Sequence, residues 1–72
     1  MSGQSVENNV CEMRMRRGLT QTQLAELCGV ARQSIISIEK GRFQPGIDTA
    51  LRISRALGAP LEHIFWLKED NA

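Results

Sequence analysis

Seventy-two residues, 42% hydrophobic and 24% charged with a net charge of +1, leave room for one small domain, residues 1–72 with a core over about 8–65 and a tail over 66–72. No apolar stretch approaches the roughly 20 residues of a membrane-spanning helix, and the opening MSGQSVENN has neither the basic start nor the apolar run of a secretory leader. Two cysteines and one histidine are too few for a zinc site, so the expectation is a cytoplasmic protein with no metal, no cofactor and no membrane contact.

In chain order, a first helix is expected from Asn8 or Asn9 to Arg17, with an Asn as its N-cap and Val10, Met13 and Leu19 toward the core. Gly18 ends it. Thr20 then caps a second helix that starts at Gln21, and Gln23 three residues on completes a capping-box pattern. Gly29 follows the apolar run Leu24, Ala25, Leu27 and Cys28. A steep turn between two helices needs a residue tolerant of positive φ, which glycine supplies without strain. Ala25 is small enough to let two helix backbones approach, and Leu24, Cys28, Val30, Ile35 and Ile38 supply the apolar wedge between them. The third helix runs from Ala31 to Lys40 and is closed by Gly41. Arg42 to Gly46 form a loop, since Pro45 discourages helix just before itself. A fourth helix is expected from about Ile47 to Leu57, burying Ala50, Leu51, Ile53, Ser54 and Leu57 and stopping at Gly58. Pro60 can open a short fifth helix from Leu61 to about Phe65.

The stretch QTQLAELCGVARQSIISIEK, Gln21 to Lys40, therefore reads as a helix-turn-helix, a unit that leaves its second helix free to enter the major groove of DNA. An ordinary helical hairpin would explain the Leu and Ile spacing equally well. It would not explain the outer face of the second helix, where Arg32, Gln33, Ile36, Ser37 and Lys40 form a stripe without an acid. A solvated surface helix favours mixed Glu and Lys there. Arg can bond both acceptors of guanine, Gln can pair with adenine, Ser suits either, and Ile36 offers a contact for a thymine methyl. Charge follows the same division. Between Arg14 and Arg55 eight basic and three acidic residues give +5, which leaves −4 on the two flanks. A basic middle between acidic ends suits a phosphate-facing surface with the termini turned away.

Cys28 reads as a small core residue and Cys11 as partly exposed. The sequence leaves a disulfide between them open, with a reducing cytoplasm the simpler expectation. His63 reads as a surface residue. Phe65 and Trp66 are large apolar groups near the end of a small chain. Either they close the core or they form a dimer interface, where Trp is favoured.

The segments GLTQTQLAELCGV, RQSIISIEKGRFQP and ALRISRALGAPLEHIF, together with Arg14, resemble the lambda-repressor-like, Cro/CI-type family of transcriptional regulators over about Asn8 to Phe65. The likeness is strongest to short stand-alone members such as the cytolysin-operon repressor of a Gram-positive bacterium. It implies an all-α, compact five-helix DNA-binding domain, with a short two-stranded sheet between Ser5–Asn8 and Trp66–Lys68 as in the short relatives. It also implies base-reading roles for Arg32, Gln33 and Ser37, with Ile36 on the same face. Gln21, Ser34, Arg42 and Phe43 match positions that touch the DNA backbone, and Lys40 and Arg42 are the cations best placed to neutralise phosphate. Arg14 and Glu39 match a structural ion pair between the first and third helices. One position departs: many relatives carry Ser or Thr where this chain has Ala31, and loss of such a cap typically costs about 1 kcal/mol.

The expected function is a homodimeric regulator of double-stranded DNA, most often a repressor at a palindromic operator, with no small-molecule ligand. An antitoxin with the same fold is the alternative, although antitoxins usually need an extra segment for their toxin. An enzyme is a poor reading: a lone His, no Ser-His-Asp or Cys-His set, no phosphate loop and no paired carboxylates leave little for catalysis.

Overall fold

Along the chain come β1 (Val6–Asn8), α1 (Val10–Arg16), α2 (Gln21–Cys28), α3 (Arg32–Glu39), α4 (Ile47–Leu57), α5 (Leu61–Ile64) and β2 (Phe65–Leu67) in the computed structural model, which describes residues 6–68. The expected strand residue Ser5 and the tail from Glu69 to Ala72 lie outside the described residues. The result is the expected arrangement of five helices, with a small antiparallel sheet joining the two ends.

The helices form where local chemistry favours them. Thr20 Oγ1 accepts from the Gln23 backbone N–H at 3.0 Å, and Gln23 Oε1 accepts from the Thr20 N–H at 2.8 Å, so both halves of the capping box are made. Gly29 ends α2 in the left-handed region at φ 69°, with ψ 32°. α1 starts at Val10, one or two residues later than expected. Its capping side chain is Asn8, whose Oδ1 accepts from the Val10 N–H at 3.0 Å, whereas the Asn9 side chain makes no capping bond.

One apolar cluster holds the elements together. Leu24, Ala25 and Cys28 of α2 meet Ile35 and Ile38 of α3, Ile53 and Leu57 of α4, Val10 and Ile64. Fully burying an Ile or Leu contributes about 1.5–3 kcal/mol each, so these side chains dominate the stability of a chain this short. Met13, Leu19, Val30 and Phe65 pack against the cluster from its rim.

Leu51 corrects the expected buried face of α4, being 52% exposed. The buried positions Ala50, Ile53 and Leu57 define one side of α4. At about 100° per residue Leu51 lies well over a quarter-turn from the centre of that side.

The sheet pairs Val6 with Leu67, Glu7 with Trp66 and Asn8 with Phe65. It takes Phe65 out of the fifth helix: at φ −125°, ψ 138° that residue is extended, so α5 stops at Ile64. Two three-residue strands are too short to be stable alone. They are fixed by Phe65 against the core and by Asn9 N–H donating to Ile64 C=O at 3.0 Å.

Candidate nucleic-acid interface

The interface candidate begins with two isoleucines that do not belong to it. Ile35 and Ile38 are fully buried, and they pin one side of α3 to the body. The opposite side must then face outward. Arg32, Gln33 and Lys40 are exposed there, while Ser34, Ile36 and Ser37 are half-buried. Gln33 Nε2 donates to Ser37 Oγ at 3.4 Å, one turn along the helix. Phe43, 50% exposed, comes back from the following loop beside Gln33, Ser34 and Ser37, and the four line a shallow cleft of about 180 Å³. Arg42 is exposed in the same loop.

The N-terminus of α3 is open. Ala31 holds the extended N-cap conformation but offers no side-chain acceptor to the first turn. Ser34 N–H donates to Ala31 C=O at 3.0 Å, and no acidic residue lies in that turn.

What secures α3 from the side is a half-buried polar cluster. Arg14 Nε donates to Glu39 Oε2 at 2.7 Å and Nη2 to Oε1 at 3.4 Å, with side-chain exposures of only 12% and 6%. Arg14 Nη1 also donates to Leu19 C=O at 2.8 Å. The Glu39 carboxylate raises the Arg14 pKa further above its ordinary value, so the guanidinium stays charged despite its burial. Gln21, at the start of α2, joins from the other side. Its Nε2 donates to Glu39 Oε1 at 3.1 Å, and its Oε1 accepts from Arg32 Nη2 at 3.3 Å. Glu39 is therefore the acid that the outer stripe lacks, folded inward and neutralised.

The positive charge is sorted accordingly. Arg14 is neutralised by Glu39, Arg16 pairs with Glu12 at 2.7 Å, and Arg52 lies 3.8 Å from Asp48. Arg32, Lys40 and Arg42 form no ion pair among the described residues. The cations left uncompensated thus include those around α3.

Asn8, expected at the first helix cap and in the N-terminal strand, also supports α3. Its Nδ2 donates to the carbonyl of Ile38 in the last turn of α3, at 2.9 Å across 30 residues. One side chain thereby joins the start of α1 to the end of α3. A backbone acceptor so distant in sequence leaves no signal in composition or spacing.

Phe65 and Trp66 separate. Phe65 packs on the core, whereas Trp66 is 41% exposed and donates from Nε1 to Glu7 Oε1 across the sheet at 3.3 Å. Both cysteines are free. Cys28 is buried, and burial pushes its thiol up, away from thiolate. His63 is exposed. Among the described residues no group of His, Cys, Asp and Glu could hold a metal, and no helix is long and apolar enough to cross a membrane.

The fold recurs in known proteins. The helix-turn-helix family HTH_3 matches residues 12–64. The HTH-type transcriptional regulator YgzD of Bacillus subtilis is 42% identical over 66 residues, 92% of this chain and 100% of that protein. An HTH-type transcriptional regulator of Methanothermobacter thermautotrophicus is 55% identical over 62 residues, 85% of this chain and 90% of that one. Among solved structures, the restriction-modification controller protein C.AhdI from Aeromonas hydrophila superposes with a TM-score of 0.71 at 28% identity, over 75% of this chain and 82% of its own. With a family match over most of its length, relatives of its own size and an outward α3 held by buried isoleucines, the chain belongs to the HTH_3 helix-turn-helix family of Cro/CI-type transcriptional regulators, and its helix-turn-helix is a DNA-binding domain.

Proposed function

We propose that the protein is a homodimeric repressor that binds a palindromic operator in double-stranded DNA. The observation that carries this reading is the division of α3: Ile35 and Ile38 are fully buried while Arg32 and Gln33 stand exposed beside an open helix start. Arg32, Gln33 and Ser37 read base edges, and Ile36 meets a thymine methyl. Gln21, Ser34, Lys40, Arg42 and Phe43 hold the backbone, the cations by charge and the others by hydrogen bonds or packing. Arg14 and Glu39 fix the helix that reads. Two copies place their α3 helices in successive major grooves, roughly 34 Å apart. Trp66, carried by the core-packed Phe65 beside it, lies at the interface between copies, where the partly exposed indole gains burial. Bound over a promoter, such a dimer excludes polymerase by volume alone, so repression needs no further contact surface. The protein works in the cytoplasm, without a small-molecule ligand or an enzymatic activity of its own.

Selection of bound duplexes from a random pool tests this directly. The expected product is a two-fold symmetric site bound by two protomers, with mass measured by light scattering. Arg32→Ala and Gln33→Ala should each relax preference at particular bases, at about 1–3 kcal/mol per lost bidentate contact. Arg42→Ala should weaken all duplexes alike and flatten the salt dependence. Equal losses on selected and scrambled duplexes for all three variants would overturn the division of roles, and an asymmetric site bound by one protomer would overturn the dimer.

A further inference from the structure

Arg32 is the exposed residue at the start of α3, yet what holds its side chain lies outside that helix. Its Nη2 donates to Gln21 Oε1 at 3.3 Å, and the amide of the same Gln21 donates from Nε2 to Glu39 Oε1 at 3.1 Å. Glu39 in turn is gripped by Arg14 through both oxygens, at 2.7 and 3.4 Å. We propose that Glu39 is a positioning residue for base recognition: it sets the amide of Gln21, and through it the guanidinium of Arg32, so that a carboxylate that never meets DNA decides part of the sequence preference. The proposal rests on the reading of Arg32 as a base reader.

The argument is one of donors and acceptors. An ionised carboxylate only accepts, and a guanidinium only donates. Gln21 stands between the two. Its NH2 must face Glu39 and its carbonyl must face Arg32. Turned over, the amide would set oxygen against oxygen on one side and N–H against N–H on the other. Glu39 cannot rotate to relieve this, because Arg14 holds it in a pocket where its side chain is 6% exposed. The orientation of a surface amide is thus dictated by a buried charge. Arg32 carries a long side chain with much rotamer freedom. A fixed acceptor beside it removes part of that freedom before DNA arrives, which favours binding by preorganisation. Gln21 keeps its second amide N–H for a phosphate oxygen, so it can position Arg32 and clamp the backbone together.

The test uses the full chain, the duplex it selects from a random pool, and that duplex with each base pair replaced singly. The readout is the ratio of Kd values at the position whose preference Arg32→Ala erases. Glu39→Gln keeps the shape, but with the remaining carbonyl oxygen held by Arg14 Nε the new NH2 faces Gln21, which favours the turned-over amide and takes the acceptor away from Arg32. The expected result is a fall in that ratio approaching the roughly tenfold or greater fall from Arg32→Ala. Affinity for a scrambled duplex should not fall, since a negative charge has been removed. In the Arg32→Ala background Glu39→Gln should change the ratio no further. General loosening of α3 would instead weaken every duplex and would add to the Arg32→Ala effect. Gln21→Met cuts the relay without touching the ion pair, so it decides the matter if circular dichroism shows Glu39→Gln unfolded. It should lower the ratio equally, together with a uniform loss from the missing phosphate contact. Wild-type ratios in both variants, with Arg32→Ala still erasing the preference, would overturn the relay and leave the base reader standing. Equal losses on all duplexes from Arg32→Ala itself would overturn the base reader, and the relay with it.

Discussion

α2 and α3 are neighbours of equal length, eight residues each, and both turn out through a left-handed glycine, Gly29 at φ 69° and Gly41 at φ 75°. Their closures match: Val30 N–H donates to Ala25 C=O at 3.0 Å, and Arg42 N–H to Ser37 C=O at 2.9 Å. Their beginnings do not. α2 starts in a complete capping box between Thr20 and Gln23, whereas α3 starts at Ala31 with no side-chain acceptor. α3 compensates through distant partners: Arg14 and Gln21 on Glu39, and Asn8 on the Ile38 carbonyl. α2 satisfies its own ends from within a few residues, whereas α3 leaves its leading turn open and is held from the side and rear.

That contrast can be broken most sharply at Glu39. Glu39→Ala leaves Arg14 charged and buried without its partner, a change that typically costs about 3–5 kcal/mol. Urea denaturation should register it, and a loss below about 1 kcal/mol would mean that the tertiary ties of α3 count for little. Gly29→Ala and Gly41→Ala should each cost about 1–2 kcal/mol, because an L side chain is disfavoured in the left-handed region while neither site has an atom within 4 Å of the added carbon. Near-equal thermal shifts are expected, since the two closures are alike. Thr20→Ala should cost about 1 kcal/mol through the lost cap on α2. The smallest effect has the opposite sign: Ala31→Ser adds the missing acceptor to α3 and should raise stability by up to about 1 kcal/mol. A loss of stability from Ala31→Ser would show that the start of α3 is already satisfied.

Much of the frame was legible beforehand, because it depends on neighbours in sequence. Thr20 with Gln23, the glycines 29, 41 and 58, Pro60, and the Leu and Ile spacing of α2 and α3 each act within a few residues. The bounds of α4, Ile47 to Leu57, follow from the same rules. Leu51 was misplaced because its apolar type was read ahead of its position: the side of α4 that packs on α2 and α5 is centred well away from it. In the candidate interface, the sequence marked Arg32 and Gln33 by type and spacing. It gave no sign that Gln21 lies between Arg32 and Glu39, since those contacts cross 11 and 18 residues.

The linear order of residues determined by itself where α2, α3 and α4 begin and end, and that the helix after Gly29 carries one face without an acid. Caps, turns and amphipathic stripes are governed by contacts a few residues apart, which is why they are readable. Tertiary structure alone decided that Glu39 also holds Gln21, that Asn8 reaches the end of α3, and that Phe65 turns inward while Trp66 stays out. Those outcomes depend on which side chains meet after the chain has closed on its core, and a buried charge or amide takes whatever partner the packing brings within hydrogen-bond reach.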